Sequence, residues 1–258
     1  MKKIAVITGA SSGIGREFVR TLSSHGQYDE LWAIARDTAR LEQLRSETPI
    51  PVVPISLDLS RPESVTTYAS MLAEHKPGVS ILINCSGYGK FESTQNISLE
   101  DNLGMIDLNC RALTAMTYVT LPYMSRGSEI IEIASVAAFQ PIPYINVYGA
   151  SKAYVLSFTR ALSRELRPNG IHVMAVCPFW TKTAFFDRAV KKNSDTIVKK
   201  YTAMYTPEQI VGAAWKAMKH PNKDYCVPGF KAKMQVFGVK VLPHKWVMGI
   251  WMRQQKLK

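Results

Sequence analysis

The sequence predicts an α/β fold, a doubly wound and mainly parallel sheet with helices on both faces, followed by a basic amphipathic extension at residues 230–258. Three observations carry this reading. Short apolar runs alternate with stretches of helical period from residue 4 to about residue 177. The runs are nearly continuous in apolar residues, as strands buried on both faces require, and strands joined through helices pair in parallel. Glycines, hydroxyls and amides gather just after the runs, at the strand ends where such sheets bind ligands.

Residues 4–7 form the first strand, and the apolar run stops at Thr8-Gly9, too soon for a signal peptide. Thr8-Gly9-Ala10-Ser11-Ser12-Gly13-Ile14-Gly15 then leads into an amphipathic stretch ending near His25. A glycine-rich turn between a buried strand and a helix presents backbone N–H groups at the positive end of the helix dipole, which makes it a phosphate cradle. Its candidate contacts are Gly9, Ser11, Ser12, Gly13, Ile14 and Gly15. Residues 31–35 are the second strand, ending in Ala35-Arg36-Asp37. An acid about twenty residues beyond the glycines holds ribose hydroxyls, whereas arginine suits a 2′-phosphate. Arg36 therefore points to NADP(H), with Asp37 as a ribose ligand the alternative.

Residues 52–57 are the third strand, with Asp58-Leu59 at its end, and a helix is expected over residues 61–75. Residues 79–83 give a fourth strand closed by Asn84-Cys85-Ser86-Gly87, where Gly87 and Gly89 allow a turn near a ligand. One long helix is expected over residues 98–124 and carries Asn109, which alone would read as a satisfied polar group. The fifth strand, 129–135, ends on Ser135. After the proline-rich loop 139–146, a helix runs to about Arg167, where Pro168-Asn169-Gly170 stops it, and residues 171–177 are the sixth strand.

The helix after the proline-rich loop carries Tyr148 and Lys152 one turn apart on one face. Tyrosine and lysine at this spacing often merely pack together. A cation beside a phenol also favours phenolate, which would bring an acid with a free value near 10 towards neutral pH. Ser135, at a strand end, is placed to position a carbonyl.

With these motifs in view, residues 3 to about 228 resemble the short-chain dehydrogenase/reductase family in its single-domain form. The residues that carry the likeness are Thr8-Gly-x3-Gly-Ile-Gly15, Asn84-x-x-Gly87, Asn109, Ser135 and Tyr148-x3-Lys152, in the family's order. The resemblance implies a Rossmann-type fold and Asn109, Ser135, Tyr148 and Lys152 as a catalytic tetrad. It further implies that Lys152 depresses the tyrosine pKa, that Asn109 holds a proton-relaying water, and that Asp58 meets adenine with Leu59 beside it. Asn84, Gly87, Tyr148, Lys152, Thr181 and Thr183 are implied as further cofactor contacts. The chain departs from the family at Cys85-Ser86 and at Phe179, which stands where a glycine is usual.

By the same likeness the substrate meets Phe139, Ile142, Tyr144, Phe179, Trp180 and Phe185, with Pro143 and Phe186 nearby. So apolar a lining favours a bulky ketone or alcohol, steroid-like or long-chain acyl, although any one of these aromatics could instead pack in the core. The expected activity is NADP(H)-dependent interconversion of a ketone and a secondary alcohol. The alternatives are a cofactor-binding sensor without catalysis and a membrane-surface scaffold.

The chain has 258 residues, 47% hydrophobic and 20% charged, enough for one domain over 1–229 with 230–258 as its extension. Four cysteines and five histidines lack ligand or disulfide spacing, so a reducing cytoplasm and no metal are expected. Of the +12 net charge, seven basic residues and no acid fall in residues 231–258. That segment either docks on its own protein, the preferred expectation, or on a partner subunit, or lies on an anionic membrane surface. A homo-oligomer is expected, and nucleic acid is not, because no base-reading motif accompanies the charge.

Overall fold

The computed structural model describes residues 1–190 and 197–257. Its core is a parallel seven-stranded sheet in the order β3-β2-β1-β4-β5-β6-β7. The strands are β1 (Lys3–Thr8), β2 (Glu30–Ala35), β3 (Val52–Ser56), β4 (Gly78–Asn84), β5 (Glu129–Ile133), β6 (His172–Val176) and β7 (Tyr225–Cys226). The connecting helices are α1 (Gly13–His25), α2 (Thr38–Gln43), α3 (Pro62–His75), α4 (Leu99–Ile106), α5 (Leu113–Thr120), α6 (Asn146–Leu166), α7 (Phe185–Ala189) and α8 (Pro207–Met218), and the chain closes with α9 (Phe230–Val241) and α10 (His244–Gln255).

Alternation along each strand builds two cores. Ala5 and Ile7 of β1 join Leu31 and Ala33 of β2 beneath Phe18 and Leu22 of α1. Ile4, Val6, Trp32 and Ile34 face the other way, onto Tyr68, Leu72 and Met116. Successive strand side chains point to opposite faces, so each apolar run feeds both layers and reads as continuous in the sequence. The order reverses between β1 and β4, and this switch opens a crevice at the carboxyl ends of the strands.

Three expectations need correction. The single helix over 98–124 is instead α4 and α5 joined by a π-helical turn, Asp107–Ala112, with Asn109 on that turn. The fifth strand ends at Ile133, and Ser135 caps the short helix Val136–Phe139 by accepting from the Ala137 N–H. β7, only two residues long, was not expected.

The extension docks on its own protein through both of its helices. Ala232 and Val236 of α9 join Val155, Leu156 and Val227, while Trp251 of α10 packs with Phe91 and Ile145. Lys258 lies outside the described residues. Among the described residues, no helix is long and apolar enough to cross a membrane.

Candidate active site

One cleft of about 760 Å³ runs along the carboxyl ends of the strands. Its inner end is the turn between β1 and α1, lined by Gly9, Ser11, Ser12, Gly13, Ile14 and Gly15. Close packing requires these glycines: a Cβ on Gly15 would sit 2.2 Å from the Gly9 carbonyl oxygen, and Gly9 (φ +64°) would meet the Cys85 carbonyl carbon at 2.9 Å. Thr8 Oγ1 accepts from the Cys85 and Ser86 N–H groups, at 3.1 Å each, and so ties this turn to the loop after β4. The Ser12 side chain makes no cap bond, which leaves the first-turn N–H groups of α1 for an anion.

The rim beyond β2 and β3 carries Arg36, Asp37, Arg40, Asp58 and Leu59. Asp37 is committed locally: it caps α2 by accepting from the Arg40 N–H at 3.0 Å, and its other oxygen lies 3.3 Å from Arg40 Nε. Burial alone would raise the Asp58 carboxyl. Bonds from the Ser60 hydroxyl and N–H, with the charges of Arg36 and Arg61, bring it below its usual range instead. The rim therefore presents two guanidinium groups and an ionised Asp58, and the glycine turn presents free N–H donors. This donor set fits a phosphorylated dinucleotide.

At the centre of the cleft, Ser135, Tyr148 and Lys152 come together. The Tyr148 ring is enclosed by Phe91 and Phe185, each with its centroid 5.6 Å away. Gly89 makes room for the ring, since a Cβ there would stand 2.8 Å from Tyr148 Cδ2. Burial pushes the phenol up to about 12, partly offset by a hydrogen bond with Ser135. The expectation that Lys152 depresses this group is therefore not met. Lys152 Nζ donates to the Ile133 carbonyl at 2.7 Å and lies 5.8 Å from the phenol ring centroid, so the ammonium is drawn towards β5. Burial lowers Lys152 to about 8, against the opposing influence of Cys110, Cys85 and Glu132.

Asn109 is fully buried, and its amide bonds three neighbouring protein groups. Its Oδ1 accepts from the Tyr88 N–H at 3.0 Å, and its Nδ2 donates to the Tyr88 carbonyl at 2.9 Å and to Ser151 Oγ at 3.0 Å. It clamps the loop after β4 onto α6. Gly87 permits the clamp, because a Cβ there would meet Asn109 Oδ1 at 2.9 Å and Lys152 Nζ at 3.4 Å.

Asn84 is a second correction. Its side chain turns away from the cleft and donates to Thr117 Oγ1 at 3.1 Å and Glu132 Oε1 at 3.2 Å. Thr181 and Thr183 do line the cleft, and Thr181 donates to the Phe179 carbonyl at 2.8 Å.

The outer end of the cleft is aromatic. Ile142, Phe179, Trp180 and Phe185 line it as expected. Phe139 does not: it packs on Tyr225 with centroids 5.8 Å apart, beneath Lys240. Tyr144 is also absent from the lining. It takes a positive φ of 66°, and its carbonyl accepts from the Glu92 N–H. Sequence reasoning missed Tyr88, Phe91, Arg188 and Trp251, which do line the cleft. Trp251 Nε1 donates to the Pro143 carbonyl at 3.1 Å, a bond that joins the extension to the proline-rich loop.

Comparison with known proteins gives the family of the chain. A family profile described as short chain dehydrogenase matches residues 3–194. The chain is 31% identical to an NADP-dependent 3-hydroxy acid dehydrogenase of Salmonella typhi, over 82% of this chain and 87% of that protein. Among solved structures it is similar to a short-chain dehydrogenase from Sphingobium yanoikuyae in complex with NADPH, at 28% identity and a TM-score of 0.78, covering 96% of this chain and 95% of that one. It is also similar to the bulky-bulky ketone specific alcohol dehydrogenase from Comamonas testosteroni, at 25% identity and a TM-score of 0.73, covering 98% and 92%. With a parallel sheet reversing at a glycine-rich turn, and serine, tyrosine and lysine meeting in the crevice, the chain belongs to the short-chain dehydrogenase/reductase family, whose cofactor is a nicotinamide dinucleotide.

Proposed function

We propose that the protein is an NADP(H)-dependent oxidoreductase that interconverts a ketone and a secondary alcohol on a bulky apolar substrate. The observation that carries this reading is the position of Ser135 and Tyr148, where the phosphate-binding end of the cleft meets its aromatic end. Preference for the phosphorylated cofactor is supported by Arg36 and Arg40 at the rim and by the engagement of Asp37 as a helix cap. The NADP-dependent relative and the ketone-specific neighbour favour the same reading.

When bound, the dihydronicotinamide supplies a hydride to the carbonyl carbon, and the other tasks fall to side chains. Tyr148, held protonated by burial, gives its proton to the carbonyl oxygen. Ser135 donates a hydrogen bond to that oxygen as negative charge develops on it. Lys152, anchored on the Ile133 carbonyl, offers its remaining N–H donors to a ribose. Asn109 fixes the distance between the loop after β4 and α6, and so positions both partners. Phe91, Trp180 and Phe185 exclude water and select substrate by shape.

Initial rates with NADPH and NADH on ketones of increasing apolar bulk test the proposal. Turnover should favour NADPH, and kcat/KM should rise from small ketones to polycyclic or long-chain ones. A preference for small or anionic carbonyl substrates would contradict the substrate assignment, and a preference for NADH would contradict the cofactor assignment.

A further inference from the structure

The outer face of the C-terminal helices combines exposed apolar residues with basic ones, whereas the exposed apolar residues of α4, Leu99, Leu103 and Ile106, stand beside Glu100 and Asp101. Phe230, Met234, Phe237 and Val241 recur along α9 at helical spacing and form one stripe, with Phe230 76%, Phe237 65% and Val241 66% exposed. The stripe lies opposite Ala232, Val236 and Val239, the residues by which α9 is buried. α9 is thus apolar on two sides, and among the described residues one of them is buried and the other exposed. After a break at Leu242-Pro243, α10 buries Val247 and Trp251 and leaves Trp246, 64% exposed, and Ile250 outside. On the helical wheel Lys231 lies on one side of the α9 stripe, and Lys233 and Lys240 on the other. Lys245 and Arg253 extend the basic character along α10, and no acidic residue occurs from 230 to 257.

We propose that this face docks the protein on an anionic lipid bilayer, and that the aromatic cleft draws its substrate from that bilayer. Charge selects this occupant. A second copy seated on the same face by two-fold symmetry would oppose one set of cations to another, whereas anionic headgroups neutralise both flanks as the apolar stripe enters the acyl boundary. The exposed tryptophan on α10 suits the headgroup level, where its ring is buried and its N–H stays polar. Position supports the second half of the proposal. Gln235, Trp251 and Gln254 wall the cleft, so the exposed apolar positions and part of the cleft wall belong to the same two helices. This part rests on the apolar-ketone reading above; docking itself does not.

Cosedimentation of the full chain with vesicles of phosphatidylcholine alone, or mixed with phosphatidylglycerol, tests docking without reference to turnover. Wild type should bind the anionic vesicles, lose affinity as salt rises, and leave neutral vesicles largely unbound. The double variant F237D/W246D, altered only at exposed positions, should bind at least about tenfold more weakly, and K231E/K233E/K245E should lose the preference for anionic lipid. Circular dichroism and NADPH affinity should be unchanged in both. Wild type remaining in the supernatant with anionic vesicles, or variants that sediment as wild type does, would overturn the proposal. So would a wild-type dimer that F237D/W246D dissociates without any vesicle binding.

For the delivery step, anionic vesicles should raise wild-type turnover of a bilayer-partitioned ketone but not that of F237D/W246D, while a water-soluble ketone is reduced equally by both. No effect of docked vesicles on the partitioned ketone would remove delivery and leave docking. If no ketone is turned over in solution, the function proposed above fails, and the vesicle experiment still decides docking.

Discussion

Glu132→Gln probes the buried layer beneath the cleft. Glu132 lies on β5 opposite Asn84 of β4 and is fully buried. Its Oε1 accepts from Asn84 Nδ2 at 3.2 Å and Thr117 Oγ1 at 2.8 Å. Among the described residues, its Oε2 and Asn84 Oδ1 are buried acceptors that no donor meets. A proton on Oε2 would supply that donor and close an acid–amide pair, so the geometry calls for a neutral carboxyl. Burial pushes the group from 4.5 up to about 8, against the bonds from Thr117 and Asn84 and the charge of Lys152. A folded-state value raised above the unfolded one means that the native chain binds the extra proton. Stability is therefore full at low pH and falls as pH rises from about 4.5 to about 8.

At about 1.4 kcal/mol per unit, the loss between about pH 5 and about pH 7.5 is on the order of 3 kcal/mol. Lys152, lowered to about 8, titrates mainly above this window. Glutamine copies the protonated acid, donates from Nε2 to Asn84 Oδ1 and does not titrate. Urea unfolding of both proteins across this range should find them close near pH 5, with the variant more stable by about 3 kcal/mol near pH 7.5. Curves that stay parallel would refute a neutral Glu132, and a growing wild-type advantage would show an ionised one.

Three other outcomes follow from the site. Arg36→Ala should weaken NADPH binding by about 10- to 100-fold, as expected for a charge-assisted contact to phosphate, while NADH binding changes by less than about threefold; fluorescence titration with both cofactors reads the difference. Gly15→Ala should cost about 1 to 3 kcal/mol in urea unfolding and abolish measurable NADPH binding, because its Cβ meets the Gly9 carbonyl oxygen at 2.2 Å. Asn109→Ala should destabilise by about 1 to 3 kcal/mol, because the Tyr88 N–H and carbonyl lose their partners, and should lower kcat through misplacement of the loop after β4 rather than by shifting its pH profile.

Much of this was legible in the sequence because it is written in local patterns. Apolar runs locate six of the seven strands, and the glycine turn, Ser135, Tyr148 and Lys152 fall at strand ends or one helical turn apart. Asn84 was misread although alternation could have corrected it. It shares strand parity with Leu82, which faces the α3 and α5 layer, and so its amide points to Thr117 and not to the cleft. Glu132 has the parity of Ile130 and is buried for the same reason. Leu242-Pro243 signals the break between α9 and α10. No local pattern announces Trp251 at the pocket wall or Phe139 outside it, because each is set by a partner more than 80 residues away along the chain, Pro143 for Trp251 and Tyr225 for Phe139. The π turn at Asp107–Ala112 is likewise invisible to a helical period that continues through it.

The most direct test of the account is Tyr148→Phe, assayed for NADPH oxidation with the best apolar ketone and for NADPH binding in parallel. Phenylalanine keeps the packing against Phe91 and Phe185 and removes only the proton donor. The account predicts NADPH affinity within about twofold of wild type and a fall in kcat of about 10²- to 10⁴-fold. Turnover within about threefold of wild type would contradict proton donation by Tyr148 and the assignment of this cleft as the catalytic centre.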